Sequence, residues 1–204
     1  MTVNDFFDRV FCINLDSRPD RWQQSSVLFQ QLGIDVERIP AVQGSATNLN
    51  WPFPLKDGAI GCALSQLFTF KYARQLQLDN FLLFEDDIEF ADNFNAKFAD
   101  CVTQLPDDWD IVYFSGNHHL GPNLTQITDQ IYKCEYTLAA HSVGFRHTMF
   151  DYFINTIIDL TKPCDVHYAE SHRSFNAYVV QPHITGQRSD FSNIENTNVD
   201  YKFM

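Results

Sequence analysis

Long apolar runs are missing from this sequence. The longest, such as those at residues 81–84 and 111–114, have four residues each, whereas a helix that spans a bilayer needs about 20. The first eight residues, MTVNDFFD, are acidic where a secretory leader would be basic. We therefore expect no integral membrane segment and no secretory leader.

Basic residues are scarce as well. Lys and Arg number 14 against 26 Asp and Glu, which gives a net charge of −12 and a pI near 4.7. Such a chain repels phosphate backbones and anionic bilayers. We expect no nucleic-acid partner, and only a peripheral association with a membrane is compatible with the sequence. An anionic small substrate would need a cation to bridge it to the protein.

Paired cysteine motifs are absent. The five cysteines are scattered, with no Cys-x-x-Cys spacing: Cys12, Cys62, Cys101, Cys134 and Cys164. Cys12 and Cys62 lie in apolar segments, where a thiol behaves as a small hydrophobe. This usage is typical of reduced thiols in a reducing compartment. We therefore expect a cytoplasmic protein, with the cytoplasmic face of a membrane as a compatible place.

Linkers, repeats and low-complexity tracts are also lacking, and 45% of the residues are hydrophobic, among them nineteen Phe. This composition excludes extended disorder and fibrous folds, and the length predicts one domain over residues 1–204. Strand-like segments, at 10–15, 34–39, 81–84, 109–114 and 177–180 with a further strand within 136–145, alternate with helical ones. This alternation predicts an α/β fold with a mainly parallel central sheet flanked by helices.

The sharpest local feature is the acidic triplet Glu85-Asp86-Asp87, which directly follows a predicted buried strand. Open α/β sheets place ligands at the carboxyl ends of their strands. Because side chains alternate along an extended backbone, Glu85 and Asp87 should point to one side and Asp86 to the other. Two converging carboxylates repel each other unless a cation lies between them, and Mn²⁺ or Mg²⁺ suits such a site. The alternative is a solvated acidic turn.

Further segments follow in a fixed order: FCINLDSRPDR at 11–21, GAIGCALSQ at 58–66, FEDDI at 84–88, WDIVYF at 109–114, PCDV at 163–166, YVVQPHITGQ at 178–187 and SD at 189–190. This order resembles glycosyltransferase family 25, whose segments read approximately I-N-L-x-R-x-x-x-R, G-E-x-G-C-x-L-S-H, x-x-E-D-D-V and W-D-x-x-x-L. The C-terminal segments resemble its P-x-D-x, Y-x-x-x-P-x-x-x-x-Q and S-D-I tail. The resemblance extends from about residue 9 to about residue 194.

The resemblance implies a GT-A fold and an inverting transfer of a sugar, most often galactose, from a UDP-sugar to a hydroxyl of a glycan or lipopolysaccharide-type acceptor. It also implies a divalent metal, with Mn²⁺ favoured, held by Glu85 and Asp87 against the donor diphosphate. GT-A enzymes often complete the metal shell with a C-terminal His, and His183 is assigned here, with His167 as the other choice. Glu85 and Asp86 are further expected to contact the donor.

Other donor-binding candidates are Asn14, Arg18 and Arg21. The two arginines suit bidentate phosphate contacts, although they could equally be solvent-facing residues at a helix start. Asn14 ends a strand, where it could contact the base or cap a turn. An inverting transfer needs a general base; Asp165 is the first candidate and Asp190 the second, and each could instead be a helix cap. Trp51 could stack on a sugar.

Two positions depart from the family pattern. Ala59 stands where the family usually has Glu, and Gln66 where it usually has His. These departures favour a second hypothesis, a non-catalytic glycan-binding or interaction module that retains the fold. A metal-dependent phosphohydrolase on another α/β fold would need more His and Asp clusters at metal-ligand spacing than the sequence contains.

Overall fold

The computed structural model describes residues 1–47, 55–118, 124–192 and 197–199. Trp51 lies outside the described residues, as does the side chain of Asp190. The helices are α1 (Val3–Phe6), α2 (Pro19–Leu32), α3 (Asp57–Gln75), α4 (Phe94–Gln104), α5 (Phe150–Ile157) and α6 (Cys164–Ser171), with 3-10 turns at Gly44–Ala46 and His147–Met149. In the described part of the chain, no helix is both long and apolar enough to cross a membrane.

The strands include β1 (Arg9–Asn14), β2 (Glu37–Pro40), β3 (Asn80–Glu85), β5 (Ile111–Tyr113), β6 (Thr125–Gln126), β7 (Ile131–Lys133), β8 (Ser142–Arg146) and β9 (Ala177–Val180). Within the described residues these eight form one sheet in the order β2-β1-β3-β8-β5-β9-β7-β6. Strands β7 and β8 run opposite to the other six. The predicted mainly parallel α/β sheet is therefore confirmed.

Smaller strands complete the described structure: β4 (Ile88–Phe90), β10 (Thr185–Gln187), β11 (Asp190–Ser192) and β12 (Thr197–Val199). Strand β10 pairs antiparallel with β4, and Gln187 is opposite Ile88 in the register. Strand β4 begins directly after the acidic triplet. The pairing therefore brings a C-terminal segment of the chain against the predicted site.

The helices cover both faces of the sheet because its strands are apolar on both sides. In β3, Phe81 and Leu83 pack with α3, α5 and α6, whereas Leu82 and Phe84 pack with α1, α2 and α4. This alternation follows the two-residue period of a strand. Strands with both faces buried read as continuous apolar runs, which is why the sequence revealed β3 and β9 so clearly.

Several element boundaries differ from the sequence prediction. Glycine readily adopts the left-handed conformation that ends many helices, so the sequence predicts that Gly33 ends the helix after β1. Gly33 does end α2, in a left-handed conformation with φ +67°. Ser17, a residue type that often caps helices, is predicted from the sequence to cap the same helix. This prediction is wrong, because α2 begins after Arg18, with Pro19 in its first turn and no side-chain cap. Strand β2 begins at Glu37 rather than at residue 34, since Ile34 instead packs in the core below α2.

The segment after β2 lies against the start of α3 at a close backbone contact. A Cβ atom on Gly44 would be 1.6 Å from the Asp57 carbonyl oxygen, and one on Gly61 would be 2.4 Å from the Val42 oxygen. Ser65 strengthens this contact by accepting a hydrogen bond from the Val42 N–H at 2.8 Å. Glycine is required at both positions because the nearest atoms belong to the backbone.

We expect Gly44→Ala to destabilise the protein by about 3 kcal/mol, since a methyl group there forces backbone atoms apart. Ser45→Ala, at the exposed neighbouring position, should change stability by less than about 0.5 kcal/mol. Urea unfolding followed by circular dichroism measures both. Equal stability of the two variants would show that the contact between the segment and α3 is looser than the structure has it.

Candidate active site at the carboxyl ends of β1 and β3

The acidic triplet lies where two parallel strands end side by side. Strands β1 and β3 are paired, with Ile13 opposite Glu85. Asn14, the last residue of β1, therefore lies beside Glu85 and Asp86. The carboxyl ends of both strands face the same edge, which is the ligand-binding edge of such sheets.

Glu85 and Asp87 converge on one point. The side-chain amide of Gln187 donates hydrogen bonds to Glu85 Oε2 and to Asp87 Oδ1, each at 3.3 Å. This shared contact confirms the expectation that the two carboxylates point to one side. Gln187 belongs to the Y-x-x-x-P-x-x-x-x-Q segment, but sequence analysis assigned it no role. The pairing of β10 with β4 brings it to the triplet.

Asp86 points the other way, into a buried polar cluster. It accepts a hydrogen bond from Asn14 Nδ2 at 2.6 Å and forms an ion pair with Arg21 at 2.9 Å. The hydroxyl of Ser25 and the guanidinium of Arg188 both donate to the Asp86 carbonyl oxygen, at 2.5 and 2.9 Å. These contacts fix the backbone of the acidic turn on the side opposite to Glu85 and Asp87.

Arg21 links the two sides of the turn. Its Nη1 lies 2.9 Å from Asp86 Oδ1 and 3.4 Å from Asp87 Oδ2, and its side chain is only 10% exposed. The nearby carboxylates raise the pKa of Arg21, although burial opposes this effect. Arg21 therefore neutralises charge within the protein and positions Asp87.

Arg18 lies nearer the surface than Arg21. It forms a two-pronged contact with Asp20 at 3.0 and 2.8 Å, and this hydrogen bonding lowers the pKa of Asp20 to about 2. Arg38, which sequence analysis missed, donates to Asn14 Oδ1 at 2.8 Å and to Asp16 Oδ1 at 2.6 Å. It had no sequence signal, because only the parallel pairing of β1 with β2 places it there.

Burial and mutual repulsion keep the carboxylates at this edge unusually basic. The pKa of Glu85 is raised well above its ordinary value, first by burial and then by Cys62, Asp87, Asp86 and Asp165. Burial also raises the pKa of Asp87, although Arg21 opposes the shift. Two partly buried carboxylates that lie close together and have raised pKa values are a donor set that suits a hard divalent cation. The residues therefore fit the metal that the family resemblance implies.

His183 lies elsewhere. Its Nε2 is 3.3 Å from His118 Nε2 and 3.0 Å from the Gln181 amide nitrogen, and its Nδ1 is 3.5 Å from Ser115 Oγ. Among residues 1–47, 55–118 and 124–192, no group of three or more His, Cys, Asp or Glu side chains is arranged to hold a metal. The expected set of Glu85, Asp87 and His183 is thus not assembled here, because Gln187, four residues further on, occupies the place beside the carboxylates.

Asp165 is close to the triplet. It is the second residue of α6, and its Oδ2 accepts a hydrogen bond from the Ala139 N–H at 3.4 Å. Burial raises its pKa, and its charge in turn contributes to the raised pKa of Glu85. Asp190 begins β11, three residues after Gln187, and its side chain is outside the described part of the chain.

The two departures from the family pattern are both inside α3. Ala59 is 8% exposed, and Gln66 is fully buried. Gln66 Oε1 accepts a hydrogen bond from the Tyr168 hydroxyl of α6 at 2.6 Å. Gln66 thus joins two helices within the protein, and its side chain is not part of the open surface beside the triplet.

The mixed sheet and the acidic turn at its carboxyl edge agree with a GT-A-like glycosyltransferase. Residues 7–185 match the family described as "Glycosyltransferase family 25 (LPS biosynthesis protein)". The chain therefore belongs to glycosyltransferase family 25, as the resemblance of its sequence segments implied.

Curated relatives cover part of the chain. It is 32% identical over 126 residues to a "Glycosyltransferase 25 family member" of Drosophila pseudoobscura pseudoobscura. It is 31% identical over 127 residues to human "Procollagen galactosyltransferase 2". Each match covers 52% of this chain and 20% of the relative, so the chain matches only about a fifth of the length of these proteins.

Among similar solved structures is that of a glycosyltransferase involved in the glycosylation of the major capsid of PBCV-1. The match covers 74% of this chain and 66% of that one, with a TM-score of 0.42 and 7% identity.

We expect Arg21→Ala to cost about 3 kcal/mol of stability, because it leaves Asp86 and Asp87 buried without their cation. The matched control is Arg74→Ala, which removes an ion pair of similar length, 2.7 Å, whose side chains are 53% and 73% exposed. That loss should stay below about 1 kcal/mol. Chemical unfolding at pH 7 measures the difference, and similar losses for the two variants would contradict the positioning role of Arg21.

Proposed function

We propose that this chain transfers a sugar from a UDP-sugar to a hydroxyl group with the help of a divalent metal, and that the configuration at the sugar carbon is inverted. The observation that carries the proposal is the convergence of Glu85 and Asp87 on Gln187 at the carboxyl edge of the sheet. A UDP-sugar carries a diphosphate, and a protein with a net charge of −12 would repel it unless a cation lay between them.

Glu85 and Asp87 would hold the metal, for which Mn²⁺ is our first choice. When bound, the metal neutralises the carboxylate pair and stabilises the negative charge that builds on the departing UDP. Gln187 keeps the two carboxylates together by donating to both. Asn14 and Arg21 hold Asp86 and so fix the turn, which makes them positioning residues in this proposal.

Arg18 is the better candidate for contact with the donor phosphates. Its partner Asp20 is 53% exposed, so a phosphate could replace that carboxylate in the same two-pronged geometry. Arg38 lies nearby, and the side chain of its partner Asp16 is 79% exposed. These two guanidinium groups supply the positive charge that the chain otherwise lacks.

Asp165 is the proposed general base. Burial raises its pKa, and a more basic carboxylate takes a proton from an acceptor hydroxyl more readily at neutral pH. As the hydroxyl oxygen attacks the sugar from the side opposite UDP, its proton passes to Asp165. Attack from that side inverts the sugar carbon.

The sugar and acceptor follow from the relatives and are part of the proposal. Human procollagen galactosyltransferase 2 is among the similar proteins, which favours galactose. The family description names lipopolysaccharide biosynthesis, which favours a glycan or lipopolysaccharide-type acceptor. Donor binding and donor hydrolysis can be measured before either is known.

We expect UDP to bind only when Mn²⁺ is present, and Glu85→Gln and Asp87→Asn each to weaken binding at least tenfold, because one ligand of the metal is lost. Isothermal titration calorimetry with and without Mn²⁺ measures this. The control is Asp92→Asn, an exposed acid near the end of β4, which should bind like the unchanged protein.

Metal-independent UDP binding that is unaffected by either substitution would overturn the proposed role of the carboxylate pair. Absence of UDP binding with every divalent metal would remove the uridine donor. A glycan-binding module that has kept the fold would then be the better account.

The rate of UDP-galactose hydrolysis at saturating Mn²⁺ should rise with pH through a pKa above the ordinary range of Asp, because Asp165 acts only when deprotonated. Asp165→Asn should abolish this rise and lower the rate by about 10² or more. Asp159→Asn, at an exposed position before α6, is the control. An unchanged pH profile in Asp165→Asn would exclude Asp165 as the base.

A further inference from the structure

Two cysteines from distant parts of the sequence touch each other beside the candidate active site. Cys62 lies in the second turn of α3 and Cys164 is the first residue of α6. Their sulfur atoms are 3.4 Å apart. Both residues are free thiols in this structure.

The pair differs from the other cysteines in its surroundings. Cys101 donates a hydrogen bond to the Phe98 carbonyl oxygen of its own helix, Cys134 is fully buried, and Cys12 is fully buried in β1. Cys62 is partly exposed to solvent, whereas only 4% of Cys164 is exposed. A small reagent can therefore reach one sulfur of the pair, and the second sulfur is already next to the first.

The two sulfur atoms are close to bonding distance. A disulfide bond is about 2.05 Å long, so the atoms need to approach each other by little more than about 1 Å. The contact with Cys62 and burial both raise the pKa of the Cys164 thiol well above its ordinary value. Because Cys62 is the more exposed of the two residues, the first step is assigned to Cys62.

We propose that Cys62 and Cys164 are an oxidisable thiol pair, which a small disulfide such as glutathione disulfide converts into an intramolecular disulfide between α3 and α6. The Cys62 thiolate attacks one sulfur of glutathione disulfide and releases one glutathione. The Cys164 sulfur, on losing its proton to solvent, then attacks the Cys62 sulfur and releases the second glutathione. The protein loses two protons and two electrons, and glutathione disulfide takes up both to give two molecules of glutathione.

The bond would form next to residues of the candidate site. Asp165 directly follows Cys164 in the sequence, and Cys62 contributes to the raised pKa of Glu85. A bond between the two sulfur atoms would tie the first residue of α6 to the second turn of α3. The oxidation state of the pair is thereby linked to the position of Asp165, whichever donor the enzyme uses.

Peptide mapping tests the proposal without any assay of activity. Each of the five cysteines lies in a different tryptic peptide, and Cys62 and Cys164 fall in residues 57–71 and 147–173. The folded chain is treated with glutathione disulfide, free thiols are blocked, and the digest is analysed without reduction by mass spectrometry. We expect the linked pair 57–71 and 147–173 as the main product, and its loss on treatment with dithiothreitol.

Two variants sharpen the test. Cys164→Ser should leave a stable glutathione adduct on Cys62, because the second attack is no longer possible. Cys101→Ser removes a buried thiol away from the pair and should still form the link. The proposal is overturned if the unchanged protein accumulates only the Cys62 adduct, if other cysteine pairs form at equal yield, or if the main product is a dimer.

Discussion

Repulsion between two closely spaced, partly buried carboxylates is the constraint on which this structure depends. Glu85 and Asp87 meet at the end of a buried strand, where burial and their neighbours raise the pKa of each. Folding an isolated pair of this kind is unfavourable once both groups ionise, because charge is removed from water without a counter-charge. Because the pKa of each acid is higher in the folded state than in the unfolded state, the free energy of unfolding falls as the pH rises from the unfolded-state pKa through the folded-state pKa. Arg21 offsets part of the repulsion, and Gln187 offers hydrogen-bond donors to both acids.

Asp86 gives the turn its rigidity. Its carboxylate accepts hydrogen bonds from Asn14 and Arg21, and its carbonyl oxygen accepts hydrogen bonds from Ser25 and Arg188. The middle residue of the triplet is therefore fixed on the side of the turn opposite to Glu85 and Asp87. The backbone alternation that separates Asp86 from Glu85 and Asp87 is a property of any extended segment. Here that property separates Asp86, which is held by hydrogen bonds and an ion pair, from Glu85 and Asp87, which converge on Gln187 at the edge of the sheet. If two of the three acids pointed to the side of Asp86, only one acid would point to the edge of the sheet.

The sequence was sufficient for features that depend on local pattern. Apolar runs and Gly33 predicted β1, β3, β9 and the end of α2, and alternation predicted the two sides of the triplet. Contacts that depend on distant pairing were not predictable: Arg38 reaches Asn14 through the β1–β2 pairing, and Gln187 reaches the acids through β10 and β4. The helix α6 was missed as well, because its short segment, CDVHYAES, has little amphipathic pattern, although Asp165 was selected from it.

The departure from the family pattern at Gln66 has a packing explanation that does not involve a ligand. Gln66 accepts the Tyr168 hydroxyl through its oxygen, whereas its amide nitrogen has no hydrogen-bond partner among the described residues. A buried N–H group without a partner is costly, so Gln66 is an imperfect replacement for a residue with one acceptor, and a His could offer the same acceptor to Tyr168. The cost falls on the contact between α3 and α6, where Cys62 and Cys164 also meet. The difference from the family at Gln66 therefore affects the contact between α3 and α6. The acidic triplet at the carboxyl edge of the sheet is present in spite of this difference.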